Sequence, residues 1–264
     1  MKHLVIPLLL VGCSRAPTNP PSRGQPVLSL SVNGSANVQV AKRWPLLVRG
    51  VLSNSERSAG DAAQPLRLHP AHDTWAAAIR FRVTDSTGAE QAWPISLVSP
   101  PEQPMLELPS RVWTEVAWQM KPDDTSRIAL GSYRMSAELA IEDGLGWNGR
   151  TTSTPVTVQI VDTPDLSPDD AAAAEAMLRA QYAAYNRDPS AAAAILDALL
   201  SAQPARTKAL AARAQLAEAA GDPSLAFLCA AQAVTIARQK NPDAKEPPAE
   251  LILLRDRLFA ALPR

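Results

Sequence analysis

The chain has 264 residues, and its 26 basic and 26 acidic side chains cancel to a formal charge of zero. That balance argues against a dedicated nucleic-acid binder, which carries a basic excess on at least one domain. Two cysteines and three histidines exclude a zinc-finger array and a disulfide-dense scaffold, and leave few options for imidazole chemistry. The length allows one large domain or two modest ones, either able to bury a sizeable core.

Met1-Lys2-His3 places a short positive segment before an apolar run from Leu4 to Val11. The run is far below the roughly 20 residues of a membrane-spanning helix and fits the h-region of a secretory signal. It ends in Leu10-Val11-Gly12-Cys13, which resembles the lipobox of bacterial lipoprotein signal peptides. The resemblance implies a signal over residues 1–12, cleavage after Gly12, and acylation of Cys13 as a stable membrane anchor. Ser14, next to the cysteine, resembles the outer-membrane-sorted members of that family, so a lipid-anchored outer-membrane location is expected. Residues 13–26 hold Pro17, Pro20, Pro21 and Pro26 with almost nothing apolar, which predicts an extended, semi-rigid tether.

Two compositions follow. All six tryptophans lie between Trp44 and Trp147, whereas residues 165–264 have none and contain 31 alanines. The switch predicts a domain boundary near Asp162-Thr163-Pro164-Asp165.

Residues 27–162 read as short strands. Val27–Val32, Val38–Val40, Ile79–Val83, Tyr133–Ile141 and Val156–Val161 alternate apolar and polar, and Asn33-Gly34 and Asp85–Gly88 supply turns. Val112 to Met120 places Val112, Thr114, Val116, Trp118 and Met120 on one face. Seven to nine such strands predict an antiparallel β-sandwich. Leu130-Gly131-Ser132-Tyr133 resembles the tyrosine corner of immunoglobulin-like folds. The resemblance is to bacterial immunoglobulin-like modules, which often lack the inter-sheet disulfide.

Residues 165–264 read as helices with an internal repeat. Over positions 179–192, eight residues are identical to those 34 positions later, among them Arg179, Gln181, Asp188, Pro189 and Ser190. A 34-residue period with two helices per unit resembles the tetratricopeptide repeat. Ala180 and Ala214 then match the family's small position in the first helix, and Ala192 and Ala226 that of the second. Ser167-Pro168-Asp169-Asp170, Asp188-Pro189 and Asp222-Pro223 are cap-then-proline helix starts. Ala249 to Leu262 gives a fifth helix, striped by Leu251, Leu254, Leu258 and Leu262, suited to capping the last repeat. The expected fold class is therefore multidomain β plus α, an immunoglobulin-like sandwich followed by a tetratricopeptide-like helical domain.

The search for chemistry favours binding over catalysis. His69 and His72 point to opposite sides of any strand, so an exposed polar loop is expected there rather than a metal site. Cys229 lies among Leu225, Ala226, Leu228 and Ala230 and reads as a small buried hydrophobe. No nucleophile elbow, Walker loop or dinucleotide glycine motif is present. Asp123-Asp124 reads as a turn and Asp169-Asp170 as a helix start. No catalytic residue, metal or cofactor is expected. Tetratricopeptide units hold extended peptides or partner helices, so the resemblance makes Arg179, Gln181, Arg213 and Gln215 candidate contacts to an envelope protein partner. A solvated helix face or salt bridging within the repeat accounts for the quartet equally well. The alternative function is a surface carbohydrate- or ligand-binding module using the sandwich loops. Trp147, in the glycine-rich stretch Gly144–Gly149, would be its contact. The remaining tryptophans are expected mainly in the core.

Overall fold

The computed structural model describes residues 26–55, 65–98, 104–242 and 246–262. They form two compact units that meet in sequence between Asp165 and Leu166. Among the described residues, no helix is long and apolar enough to cross a membrane. The signal (1–12), Cys13 and the tether up to residue 25 lie outside the described residues.

Among its described residues the first unit holds twelve strands and one short helix. In chain order these are β1 (Pro26–Val32), β2 (Asn37–Ala41), β3 (Leu46–Asn54), β4 (Leu66–Pro70), β5 (Ile79–Thr84) and β6 (Ser96–Leu97). β7 (Leu106–Leu108), β8 (Trp113–Met120), helix α1 (Pro122–Arg127), β9 (Gly131–Ile141), β10 (Gly144–Gly146), β11 (Gly149–Thr152) and β12 (Val156–Val161) follow. β1-β3-β8-β6 form one sheet, β11-β9-β12-β2 with β5 added to β9 a second, and β10-β4-β7 a third.

Alternation decides which side each strand buries. Leu28, Leu30 and Val32 of β1, Val48 and Leu52 of β3, and Val116, Trp118 and Met120 of β8 all point inward and are buried. Tyr133, Met135, Ala137, Leu139 and Ile141 of β9 do the same from the second sheet. Trp118 meets Phe81 of β5 edge to face, ring centroids 4.9 Å apart, which ties the first two sheets together. Gly50 makes room for that indole: a Cβ there would stand 2.9 Å from the Trp118 ring. Asn33 and Gly34 both take positive φ in the turn after β1, and Asn33 Oδ1 accepts the Leu47 backbone N–H at 2.8 Å. Thr125 of α1 is buried and its hydroxyl donates to the Trp44 carbonyl at 2.8 Å, which locks that helix to the chain before β3. Asp123 and Asp124, expected in a turn, lie in the first turn of α1.

The second unit is helical: α2 (Pro168–Tyr185), α3 (Pro189–Ala202), α4 (Thr207–Ala219), α5 (Pro223–Lys240) and α6 (Ala249–Ala260). Ser167, Asp188 and Asp222 each accept a backbone hydrogen bond as N-caps, from Asp170, Ala191 and Leu225. Proline follows each cap, where its missing N–H costs nothing. The interiors are largely alanine: Ala180, Ala192, Ala209 and Ala212 pack with Leu196 and Leu216, and Ala214, Ala226 and Ala230 with Leu258. Small side chains let the helix axes approach closely, and the leucines supply most of the apolar burial.

The expected fold class is corrected by this architecture. The first unit is not an immunoglobulin-like, wholly antiparallel two-sheet sandwich of seven to nine strands. It has three sheets, and β2 runs parallel to β12, Val38 opposite Val158 and Val40 opposite Ile160. Alternation marks a strand but carries no information on its partner's direction. The third sheet was invisible because β4, β7 and β10 are five, three and three residues long. The helical unit is built of two unequal helix pairs. Its helices run 18, 14, 13 and 18 residues, so the long helix comes first in one pair and second in the other. The chain is a mixed one, sheets first and helices after.

Candidate functional site

The four residues singled out by the repeat do not form one surface. Successive helical positions are about 100° apart, so two residues of separation place Arg179 and Gln181, or Arg213 and Gln215, on nearly opposite sides of a helix. The guanidinium of Arg179 is exposed and pairs one turn back with Glu175 at 2.7 Å. That of Arg213 reaches from α4 to α3, where Nε donates to Asp197 at 2.7 Å and the second nitrogen at 3.3 Å. Its side chain is only 16% exposed, so this arginine holds two helices together. The Asp197 carboxylate also raises the Arg213 pKa above its ordinary value. Gln181 is half-buried and donates to the Tyr185 hydroxyl at 3.1 Å. Gln215 is half-buried on α4.

A different set of side chains stands free at the end of the helical unit. α6 buries Leu251, Leu254 and Leu258, and so covers α4 and α5. Yet Leu253 and Phe259 on the same helix are 69% and 63% exposed, and Leu228 of α5 is 62% exposed. Phe259 leans on Phe227 of α5, ring centroids 5.6 Å apart. A helix that closes a stack normally turns a polar face outward. α6 has apolar side chains both on its covering face and outside it. Leu253 and Phe259 fall off the stripe spaced 251, 254, 258, and that mismatch was readable in the sequence.

Cys229 is buried on α5, and burial pushes its thiol pKa up, which keeps it protonated and unreactive. Cys13 lies outside the described residues.

In the sheet unit, Trp147 follows β10. Its backbone N–H donates to the Arg67 carbonyl at 2.8 Å. Its ring is half-buried against Gly149, where a Cβ would approach to 3.1 Å. The indole is thus folded back on its own hairpin. Trp44, Trp75 and Trp118 are buried, and Trp93 packs edge to face on Tyr133 at 5.1 Å. Tyr133 donates its hydroxyl to the Ala129 carbonyl, four residues back, at 2.8 Å. Trp113 is the exception, 58% exposed on β8. His69 is in β4 opposite Leu145 of β10, and His72 is exposed in the turn beyond. Among the described residues, no group of three or more His, Cys, Asp and Glu side chains is placed to hold a metal ion.

No protein-family model matches this sequence, and no curated protein matches it. Among solved structures, the chain is similar to a family 123 glycoside hydrolase from Clostridium perfringens, with a TM-score of 0.32 and 10% identity. The match covers 54% of this chain and 28% of that one, so the chain spans little more than a quarter of that enzyme.

Proposed function

We propose that this chain is a lipid-anchored protein of the bacterial outer membrane, tethered through Cys13, whose helical unit binds a protein partner or scaffolds an envelope assembly. Its action is binding rather than catalysis. The observation that carries the reading is the exposure of Leu253 and Phe259 on α6, with Leu228 on the neighbouring α5. Large apolar side chains held rigidly on helices are what partner helices and extended peptides bury. Gly12-Cys13 after an apolar run supports the anchor.

The test places a photo-crosslinking side chain at position 253, at 259, or at the exposed Ala172 of α2, in the full chain in intact cells. Discrete adducts from 253 and 259, with 172 silent, support the reading. Equal adducts from all three, or none, overturn it. The anchor is tested separately. Cys13→Ala releases the protein from the membrane fraction, and an unchanged distribution sinks that part of the proposal.

A further inference from the structure

The outer side of the β1-β3-β8-β6 sheet carries an arrangement that partner binding by the helices leaves unused. Residues directly opposite one another in an antiparallel ladder point to the same face. Val27 lies opposite Ser53, and Ser53 opposite Trp113, so these three form one row across β1, β3 and β8. The next row on that face is Ser29, Val51 and Glu115. Arg49 stands in the row after, and its Nε donates to Glu115 at 2.7 Å. The positions between, Leu28, Leu52 and Val116, are buried, which fixes Trp113 and its row on the outer side. Trp113 is 58% exposed and Val27 37%.

The chemistry of this face selects its ligand. An accessible indole presents a negative π-surface to C–H groups that carry partial positive charge. Glu115 lies two positions further along the same strand, roughly 6.8 Å away at 3.4 Å per residue. There a paired carboxylate and guanidinium offer acceptor and donor side by side. Ser53 stands directly opposite Trp113, and Ser29 lies in the next row on the far strand, both small side chains on this face. Arg49 and Glu115 cancel, so a charged ligand gains no net attraction. A ligand that fits has one apolar C–H face and, within one residue's length, hydroxyls that both donate and accept. A pyranose ring has both. We propose that this face is a binding platform for a neutral glycan, with Trp113 stacked on one sugar ring and the Arg49–Glu115 pair hydrogen-bonded to its hydroxyls or to those of the adjoining sugar.

Native electrophoresis of the full chain through gels containing mixed-linkage β-glucan, xylan, galactomannan or glycol chitin tests this, with alginate as the acidic control. The expected result is retardation by at least one neutral polymer. Trp113→Ala should weaken it at least tenfold, Glu115→Gln about tenfold, and Trp147→Ala not at all. Trp113→Phe keeps a ring and should retain part of the binding, which separates stacking from a folding defect. Retardation by none of the four neutral polymers, by alginate alone, or undiminished in both Trp113→Ala and Glu115→Gln, overturns the proposal. Crosslinking at 253 and 259 reports on the other unit, so either reading can fail without the other.

Discussion

Gly221 and Arg187 occupy the same turn of their respective helix pairs, 34 residues apart in sequence, and both hold a left-handed backbone, with φ of 78° and 61°. Each precedes a capping aspartate, Asp222 or Asp188, whose side chain accepts the N–H of the residue three further on. The turn needs positive φ, which glycine adopts freely and a side-chain-bearing residue resists. A Cβ at Gly221 would meet nothing within 4 Å, so Gly221→Ala isolates the backbone term. The expected loss is about 1 kcal/mol, read by urea unfolding, with helix content in the folded baseline unchanged. A loss well above 3 kcal/mol would mean that steric contact, not conformation, sets the choice of glycine.

Asp188 titrates as a cap. The Ala191 N–H and the Ser190 hydroxyl both donate to its carboxylate and hold its pKa below the ordinary value of 3.8. A lowered folded-state pKa gives stability that is fully present above the unfolded value and lost as pH falls through the folded one. Asp188→Asn keeps the capping geometry but removes the charge. The stability difference between the two proteins should therefore be constant from pH 5 to 7 and shift in favour of Asp188→Asn below about pH 4. NMR titration of the Ala191 amide follows the same proton. A pH-independent difference would remove the carboxylate from the cap.

How much of this was legible follows the range of each signal. The helix starts at Ser167, Asp188 and Asp222 are local: a cap, a proline and an alanine run specify a helix without reference to the rest of the chain. The burial of Met135, Leu139 and Ile141 follows from alternation within β9. Pairing is not local. The parallel register of β2 on β12 links residues 120 positions apart, and the sequence near Val38 is the same for either direction. Arg179, Gln181, Arg213 and Gln215 show a related limit of sequence identity. Identity at a fixed offset locates equivalent positions, but Arg213 turns to Asp197 of the preceding helix, while the counterpart of Asp197 one unit later is Ala231. Alternation along Val112 to Met120 already puts Trp113 on the face opposite Trp118, whereas the row it shares with Val27 and Ser53 is given only by the ladder.

Gly50 tests the packing between sheets. Its missing side chain lets Trp118 lie across β3 and reach Phe81. Gly50→Ala puts a methyl 2.9 Å from the indole, and neither Trp118, 4% exposed, nor its buried neighbours can yield freely. The expected cost is about 1–3 kcal/mol, with a change in the near-ultraviolet dichroism as the indole shifts. An unchanged spectrum with unchanged stability would show that the ring is not held as described.

The bond between Arg213 and Asp197 decides whether that arginine is part of the frame or available to a partner. Asp197 is 56% exposed, so solvent screens the pair and its strength stays modest, about 0.5–1 kcal/mol in a double-mutant cycle of Arg213→Met and Asp197→Ala. The guanidinium stem adds to this, since Arg213 is mostly buried and its methylenes pack between α3 and α4. Arg213→Met preserves that packing and should cost little more than the ion pair, whereas Arg213→Ala should cost roughly 1–2 kcal/mol more. Arg179, exposed and paired only within its own helix, should cost less than 0.5 kcal/mol on replacement by alanine. Equal losses at 179 and 213 would mean that the two arginines are equivalent in structure as well as in sequence, and would return Arg213 to the surface as a candidate contact.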